Sequence, residues 1–369
     1  MADFKDELSP ELVGRLADAF SEVSDSFDSA DFQQRAVFGL DGLELKARVA
    51  WIARALAEAL PASPDDAARL IRHAVDNDNQ GGTGNLQGWA SMAVNEYVAT
   101  AMLDRPDIAL PLLGTLTSHY TAEFAIRPFI DAHYDTTMEQ LWAWTTSPDE
   151  HVRRLVSEGT RPRLPWGRRL YQFVDDPTDS LALLEPLVND DSLYVRRSVA
   201  NHLNDISKDH PGLVLDTARR WAQESTQGDF VVRHGLRTLI KRGDPGALAI
   251  LGFDHDAPIE LTELSCSPSA IAIGETTTIS FALHASAPTK AAIDYLVHYQ
   301  GAHGAKAGKV FKLAVRDLPA GEPVSFSRRH AFKHVSIRTI RPGPHRIEIQ
   351  ANGRILGATT VDVVDASEG

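Results

Sequence analysis

The chain has 369 residues, 43% of them hydrophobic, with a single cysteine and a formal net charge of −13. That length fits two or three domains with real cores. No run of about 18 apolar residues occurs, and the acidic opening MADFKDELSP lacks a charged-then-apolar leader, so neither a membrane span nor a secretory signal is expected.

The lone Cys266 precludes an intrachain disulfide, suits a reducing cytosol, and reads as an ordinary strand-edge thiol. The acidic total argues at first against a nucleic-acid partner. Its distribution reverses that impression. Residues 1–150 sum to −15, whereas 151–369 sum to +2. His151 to Leu170 carries six Arg against one Glu, and Gly301 to Thr360 carries eleven Lys/Arg against three acids. A phosphate backbone responds to the local face and not to the total. Acidic helices that are merely soluble and basic loops that are merely solvated would give the same counts.

From Met1 to about Asp256 apolar residues recur three and four apart, as in Leu12, Leu16, Phe20 and in Val49, Ile52, Leu56, Leu60, which predicts helices. The stretch DNDNQGGTGNLQG, Asp76 to Gly88, is expected to be a long loop. Three helices then share one pattern: DEHVRRLVSEGTRPRL from Asp149, DSLYVRRSVANHLNDI from Asp191 and DFVVRHGLRTLIKRG from Asp229. Their equivalent valines, Val152, Val195 and Val232, lie 43 and 37 residues apart, the period of HEAT-like repeats. In the second copy Val195, Val199, Leu203 and Ile206 form the apolar stripe, while Arg197, Asn201, Asp205 and Lys208 fall on a polar face. Such faces, side by side in a solenoid, make an Arg-lined concavity that can follow DNA.

After Asp256 alternation replaces the helical period. IELTELSC, TTTISFALHAS, AAIDYLVHYQ, KVFKLAVRDL, VSFSRRHAF, HRIEIQANG and ILGATTVDVV read as seven strands of an immunoglobulin-like β-sandwich. The expected organisation is therefore a multidomain, mainly α chain: an α-solenoid of HEAT-like repeats over 1–256 and a sandwich over 257–369. The loop GAHGAKAGK, carrying His303, Lys306 and Lys309, is slim and basic enough to enter a minor groove, or is a plain hairpin loop.

No Walker loop, dinucleotide glycine fingerprint, HExxH, Cys/His metal spacing or Gly-x-Ser-x-Gly elbow occurs, which argues against a phosphoryl-transfer or zinc enzyme. What remains is carboxylates and a tryptophan near Arg-rich segments: Glu123 in TAEFAIRPFI, Glu158 in LVSEGTRPRLPWG with Trp166 after it, and Asp205 in NHLNDISKDHP. Each has a structural reading as well. Glu158 can pair with Arg154 at i−4, Asp205 with Arg197, Glu123 can face a helix dipole, and Trp166 can pack between repeats.

SEGTRPRLPWG from Ser157 resembles the signature segment of the AlkC branch of the AlkC/AlkD alkylation-repair DNA glycosylases. EFAIRPFI from Glu123, YVRRSVANHLNDISKDHP from Tyr194 and RHGLRTLIKRGDPGAL from Arg233 are similar to that family too, over roughly Phe124 to Leu251. The sandwich resembles the immunoglobulin-like extension of one AlkC subgroup. The resemblance implies hydrolysis of the N-glycosidic bond of cationic N-alkylated bases, 3-methyladenine and 3-methylcytosine, in duplex DNA for base excision repair. It implies catalytic positions at Glu123, Glu158 and Asp205, a sugar-stacking Trp166, and a base left in the stack and not flipped into a pocket.

This chemistry suits the residues. A ring-alkylated base is already cationic and leaves readily, while carboxylates stabilise the charge developing on the deoxyribose and can orient water. A Trp face adds cation–π stabilisation. Phosphate contacts are expected from Arg154, Arg161, Arg163, Arg168, Arg169, Arg197, Arg233, Arg237 and Lys241, with His303, Lys306 and Lys309 on the sandwich. No metal or organic cofactor is needed. The expected partner is alkylated double-stranded DNA, gripped in the minor groove by the C-terminal domain. The chain is expected to act as a monomer in the bacterial cytoplasm. The competing readings are a non-enzymatic HEAT scaffold for DNA or protein, and a sandwich that recognises carbohydrate or protein. Clustering of the carboxylates and Trp166 in one Arg-lined cleft favours the enzyme, and scattering favours the scaffold.

Overall fold

The computed structural model describes residues 4–82, 86–336 and 338–365. The helices come first. They are α1 (Pro10–Ser21), α2 (Ser29–Val37), α3 (Leu45–Ala59), α4 (Pro64–Asn79), α5 (Trp89–Ala101) and α6 (Pro106–Leu116). Next come α7 (Arg127–Ala132), α8 (Tyr134–Trp144), α9 (Glu150–Gly159), α10 (Tyr171–Asp175), α11 (Thr178–Ala182) and α12 (Leu193–Ile206). The last are α13 (Pro211–Glu224), α14 (Gly228–Gly235), α15 (Arg237–Lys241) and α16 (Pro245–Ile250). By compactness the chain divides into one unit of Met1–His210 with Gln223–Gly235 and another of Pro211–Ala222 with Leu236–Gly369.

In the first unit the helix starts follow from local chemistry. Ser9 and Ser63 cap helices that open on Pro10 and Pro64, where the missing N–H would have no partner anyway. Asp149 caps α9 through the amide of His151, and Ser192 caps α12 through that of Tyr194. The three valines of the repeated pattern are buried, and α9, α12 and α14 pack in that succession, each on the next. The loop expected from Asp76 is shorter at its start. Asp76 to Asn79 continue α4, and Leu86 is fully buried; residues 83–85 lie outside the described residues. The third copy of the pattern is not one helix. It breaks between α14 and α15 at Gly235 and Leu236, where a Cβ on Gly235 would come within 2.8 Å of Leu203 Cδ2. Glycine holds a helix weakly, and here it allows α12 to approach.

In the second unit all seven expected strands form: β1 (Ile259–Ser267), β3 (Thr276–Ala285), β4 (Thr289–His298), β7 (Lys309–Leu318), β8 (Val324–Ala331), β9 (Gly343–Ala351) and β10 (Arg354–Val364). The alternation missed three short ones, β2 (Ala270–Ala272) and the pair β5 (Gln300–Gly301) and β6 (Gly304–Ala305). Sheet orders β1-β3-β8 and β2-β10-β9-β4-β7 make a two-sheet sandwich, filled by Ile279, Phe281, Leu283, Ile293, Val297, Ile347 and Ile349. The β9–β10 hairpin turns on Asn352-Gly353, both in left-handed conformation as such a turn requires. Buried Asn352 donates to the carbonyls of Asp254 and Lys290 and accepts from the amide of Ala292. Gly353 sits so close to Gly243 that any Cβ would overlap its carbonyl. Cys266 on β1 is half-buried, and burial raises its thiol to about 11, so it is unreactive.

The sandwich core also holds a histidine. His330 lies between the hydroxyls of Tyr295 (3.0 Å from Nδ1) and Tyr299 (2.8 Å from Nε2), with Phe311 and Phe332 against its ring. Burial lowers its pKa from 6.5 to about 4. An unfolded chain therefore binds a proton between those values that the folded chain refuses. Stability is full above pH 6.5 and falls as pH drops toward 4, by on the order of 3 kcal/mol for one such group. Urea melts at pH 7 and pH 5 should show a lower midpoint at pH 5. His330→Gln should lower the pH 7 midpoint and reduce the difference between the two pH values.

Candidate active site

Glu123, Glu158 and Asp205 come from three separate places: the turn before α7, the last turn of α9 and the last turn of α12. Each is almost fully buried. The first unit joins them into one line of alternating charge. Arg154 Nη1 donates to Glu123 Oε2 at 2.5 Å, and its Nη2 lies 3.4 Å from Glu158 Oε1. Arg161 Nη1 donates to the same Glu158 oxygen at 2.6 Å, and Arg161 Nε to Asp205 Oδ2 at 2.8 Å. Lys208 Nζ closes the line on Asp205 Oδ1 at 2.8 Å. Neutral donors complete it: Thr121 Oγ1 to Glu123 Oε2 at 2.9 Å and Ser198 Oγ to Glu158 Oε2 at 2.6 Å. Burial disfavours the charges of Arg154 and Arg161, but the facing carboxylates more than offset this, and both guanidiniums are held above their ordinary range.

The repeat geometry explains why the line forms. Arg154 and Glu158 are one turn apart on α9, and Asp205 reaches across from α12, the next helix in the stack. Ser157 on α9 and Ser198 on α12 are hydrogen-bonded at 2.7 Å, so the two helices are pinned by polar groups exactly where the carboxylates converge. Beneath them His202 is fully buried, its Nδ1 2.9 Å from the carbonyl of Ser157, and burial lowers it to about 4, which keeps it neutral. Gly159, the last residue of α9, has no room for a side chain, because a Cβ there would come within 2.6 Å of Ile126 Cγ2. From Thr160 to Leu170 the chain is irregular, and a fully buried arginine holds it. Arg127 donates to the carbonyls of Gly159 (2.7 Å), Arg161 (2.8 Å) and Arg168 (2.9 Å). Burial lowers this guanidinium to about 10, and it remains a cation.

Comparison with known proteins places the chain in a family. Residues 260–365 match the family described as Uncharacterised protein YhaZ, C-terminal Ig-like domain. The Uncharacterized protein YhaZ of Bacillus subtilis is 35% identical over 96% of this chain and 98% of its own length. A solved structure, Pseudomonas fluorescens alkylpurine DNA glycosylase AlkC bound to DNA containing an abasic site analog, matches at a TM-score of 0.90. It is 34% identical over 98% of this chain and 100% of its own. The chain belongs to the AlkC-type DNA glycosylases.

In this AlkC-type chain Trp166 stands apart from the carboxylate line, sharing no hydrogen bond or ring contact with it among the described residues. It has a left-handed backbone, φ 64°, unusual for a bulky side chain, and the residue is 58% exposed. Lys46 donates to its carbonyl, and Phe4 packs edge-on against its ring at 6.0 Å. One face of Trp166 lines a cavity of about 710 Å³ with Val49, Met92, Glu96, Phe124 and Pro128. Burial raises the Glu96 carboxyl, with Lys46 acting weakly the other way.

The basic residues separate by environment. Arg154 and Arg161 face the carboxylates. Arg163 makes a two-pronged pair with Asp209 at 2.8 Å, and Arg168 pairs with Asp131 at 2.8 Å. Arg169, Arg197 and Arg233 are exposed. In the second unit Arg237, Lys241 and Arg242 line a recess with Leu296, Gly308 and Gln350, beside the loop that carries the exposed His303 and Lys306. Lys309 lies over the Phe311 ring at 5.6 Å. Sequence reasoning missed Arg127, Ser157, Ser198 and His202. Only their placement on the repeat helices and in RPF hinted at them, and only the fold shows what they touch.

Arg127 gives a direct test. In Arg127→Met three carbonyls, two of them buried, lose their donor, which should destabilise the chain by about 3 kcal/mol. Limited proteolysis should then cut between Gly159 and Leu170 first, and a urea midpoint equal to the parent's would remove Arg127 from this role.

Proposed function

We propose that this AlkC-type glycosylase hydrolyses the N-glycosidic bond of cationic N-alkylated bases, 3-methyladenine and 3-methylcytosine, in duplex DNA. That step opens base excision repair, and the base stays in the stack while it is released. The observation that carries the reading is the convergence of Glu123, Glu158 and Asp205 into one buried line in a member of this family.

A ring-alkylated base leaves with the bonding electrons and becomes neutral. The deoxyribose takes up positive charge, which fixed carboxylates stabilise without reorganisation. The exposed Trp166 ring offers its π-face to that sugar. A neutral lesion such as uracil brings no activation of its own and should react poorly. Of the cluster that would favour the enzyme over the scaffold, the three carboxylates are together and buried, while Trp166 shares no hydrogen bond or ring contact with them among the described residues. Attraction of DNA falls to the outer cations: Arg163, Arg168, Arg169, Arg197, Arg233, Arg237 and Lys241. His303, Lys306 and Lys309 of the sandwich serve minor-groove contact. A single chain acting in the bacterial cytoplasm suffices for this.

Base release from methylated duplex DNA tests the chemistry. Glu158→Gln and Asp205→Asn should bind DNA like the parent and release base about a hundredfold more slowly. A folded, DNA-binding parent that releases nothing would return the chain to the scaffold reading. The salt dependence of binding tests the cations. Arg197→Gln, Arg233→Gln and Lys306→Gln should each reduce the slope of log K against log salt by about one.

A further inference from the structure

Beside Trp166 the first unit holds a cavity that the carboxylate line does not use. Residues of α3, α5, the turn into α7 and the irregular segment line it. Its volume of about 710 Å³ lies in the range of small-molecule sites, roughly 300–1,000 Å³. Val49, Met92, Phe124, Pro128 and Trp166 make its walls largely apolar. Glu96 on α5 is the one acid among the described lining residues, and its carboxyl has no hydrogen bond or ion pair among the described residues. Lys46 donates to the Trp166 carbonyl instead. Burial raises the Glu96 carboxyl above its ordinary range, so the fold holds, at a penalty, an acid that it does not partner. Such an acid in an apolar cleft is the signature of a ligand site.

We propose that this cavity binds a free purine base carrying the amidine edge of adenine, an exocyclic amine beside an unsubstituted ring nitrogen, with Glu96 paired to that edge. Two features select this class. A carboxyl on an amidine edge makes two parallel hydrogen bonds: one oxygen accepts from the amine, and the other shares a proton with the ring nitrogen. The pair forms whether that proton starts on the acid or on the ring, so a carboxyl that holds its proton more firmly than usual still fits. The aromatic and thioether walls, Phe124, Trp166 and Met92, suit a flat ring. Released 3-methyladenine and unmodified adenine both carry this edge, and naming the first as a source rests on the glycosylase reading above. In 1-methyladenine and 3-methylcytosine the ring nitrogen beside the amine is methylated, and the edge is lost.

Calorimetric titration of the full chain with free bases tests this. 3-Methyladenine and adenine should bind at one site, and 1-methyladenine and 3-methylcytosine should bind about tenfold more weakly or not at all. Glu96→Leu should lower the affinity for adenine by about ten- to a hundredfold. Glu96→Gln should retain most of it, because an amide also offers one acceptor and one donor to that edge. Met92→Trp, which fills the cavity, should abolish binding. Tighter binding of 3-methyladenine than of adenine names the released product as the source, and otherwise the source is free adenine. Equal binding of all four bases, unchanged affinity in Glu96→Leu, or no binding by the parent overturns the proposal. The titration involves no turnover. A parent that binds base yet releases none from DNA loses only the glycosylase reading, and one that releases base yet binds none loses only this proposal.

Discussion

The alternation of acid and base along Glu123, Arg154, Glu158, Arg161 and Asp205 is the constraint on which the rest of the first unit depends. Three carboxylates buried within hydrogen-bonding reach of two shared arginines would repel one another strongly if left bare. Interleaved guanidiniums turn that repulsion into attraction, but only at fixed geometry. A buried ion pair adds little net stability when intact and its loss of one partner is costly, about 3–5 kcal/mol. The surrounding fold therefore has to be rigid. The Ser157–Ser198 bond, the glycine that lets Ile126 approach α9, and the fully buried Arg127 all serve that rigidity. Arg127 itself is held by carbonyls and not by a carboxylate, so it fixes backbone without adding an anion to the line.

The same alternation reconciles an acidic chain with a polyanionic partner. With Lys208 included, three carboxylates face three cations, so the line as a whole is balanced. A phosphate approaching it meets far less repulsion than three open carboxylates would present. Attraction can then come from cations outside the line, such as Arg197 and Arg233, which are exposed. The net charge of −13 sits largely in residues 1–150 and says little about the field at this site.

Much of this was legible in the sequence. Alternation in TTTISFALHAS and HRIEIQANG found strands whose inward residues, Ile279, Phe281, Ile347 and Ile349, fill the sandwich. The valine spacing found α9, α12 and α14 as neighbours. What the sequence could not supply was partner choice. Arg154 and Arg161 read like the other basic residues because an arginine reads the same whatever anion it faces, and only the packing of α9 on α12 shows that Asp205 lies beside Arg161. A helical wheel placed Asp205 on a polar face with Arg197 and Lys208. That face turns partly inward, so Asp205 is buried while Arg197 is not. The break after Gly235 was equally invisible, because the pattern DFVVRHGLRTLIKRG continues across it and only contact with Leu203 gives Gly235 its purpose.

The irregular segment from Thr160 to Leu170 joins the carboxylate line to Trp166. Arg161, near its start, holds Glu158 and Asp205. Trp166, near its end, presents a largely exposed ring from a left-handed backbone. No helix spans these residues, because Pro162 and Pro165 prevent one. Their relative placement is set by Arg127, which bonds the carbonyls of Gly159 and Arg161 at one end and of Arg168 at the other. One guanidinium thus fixes both the anions proposed to meet the developing charge and the ring proposed to meet the sugar. Preorganisation of this kind requires that the holding group be inaccessible to water and substrate alike, and Arg127 is fully buried.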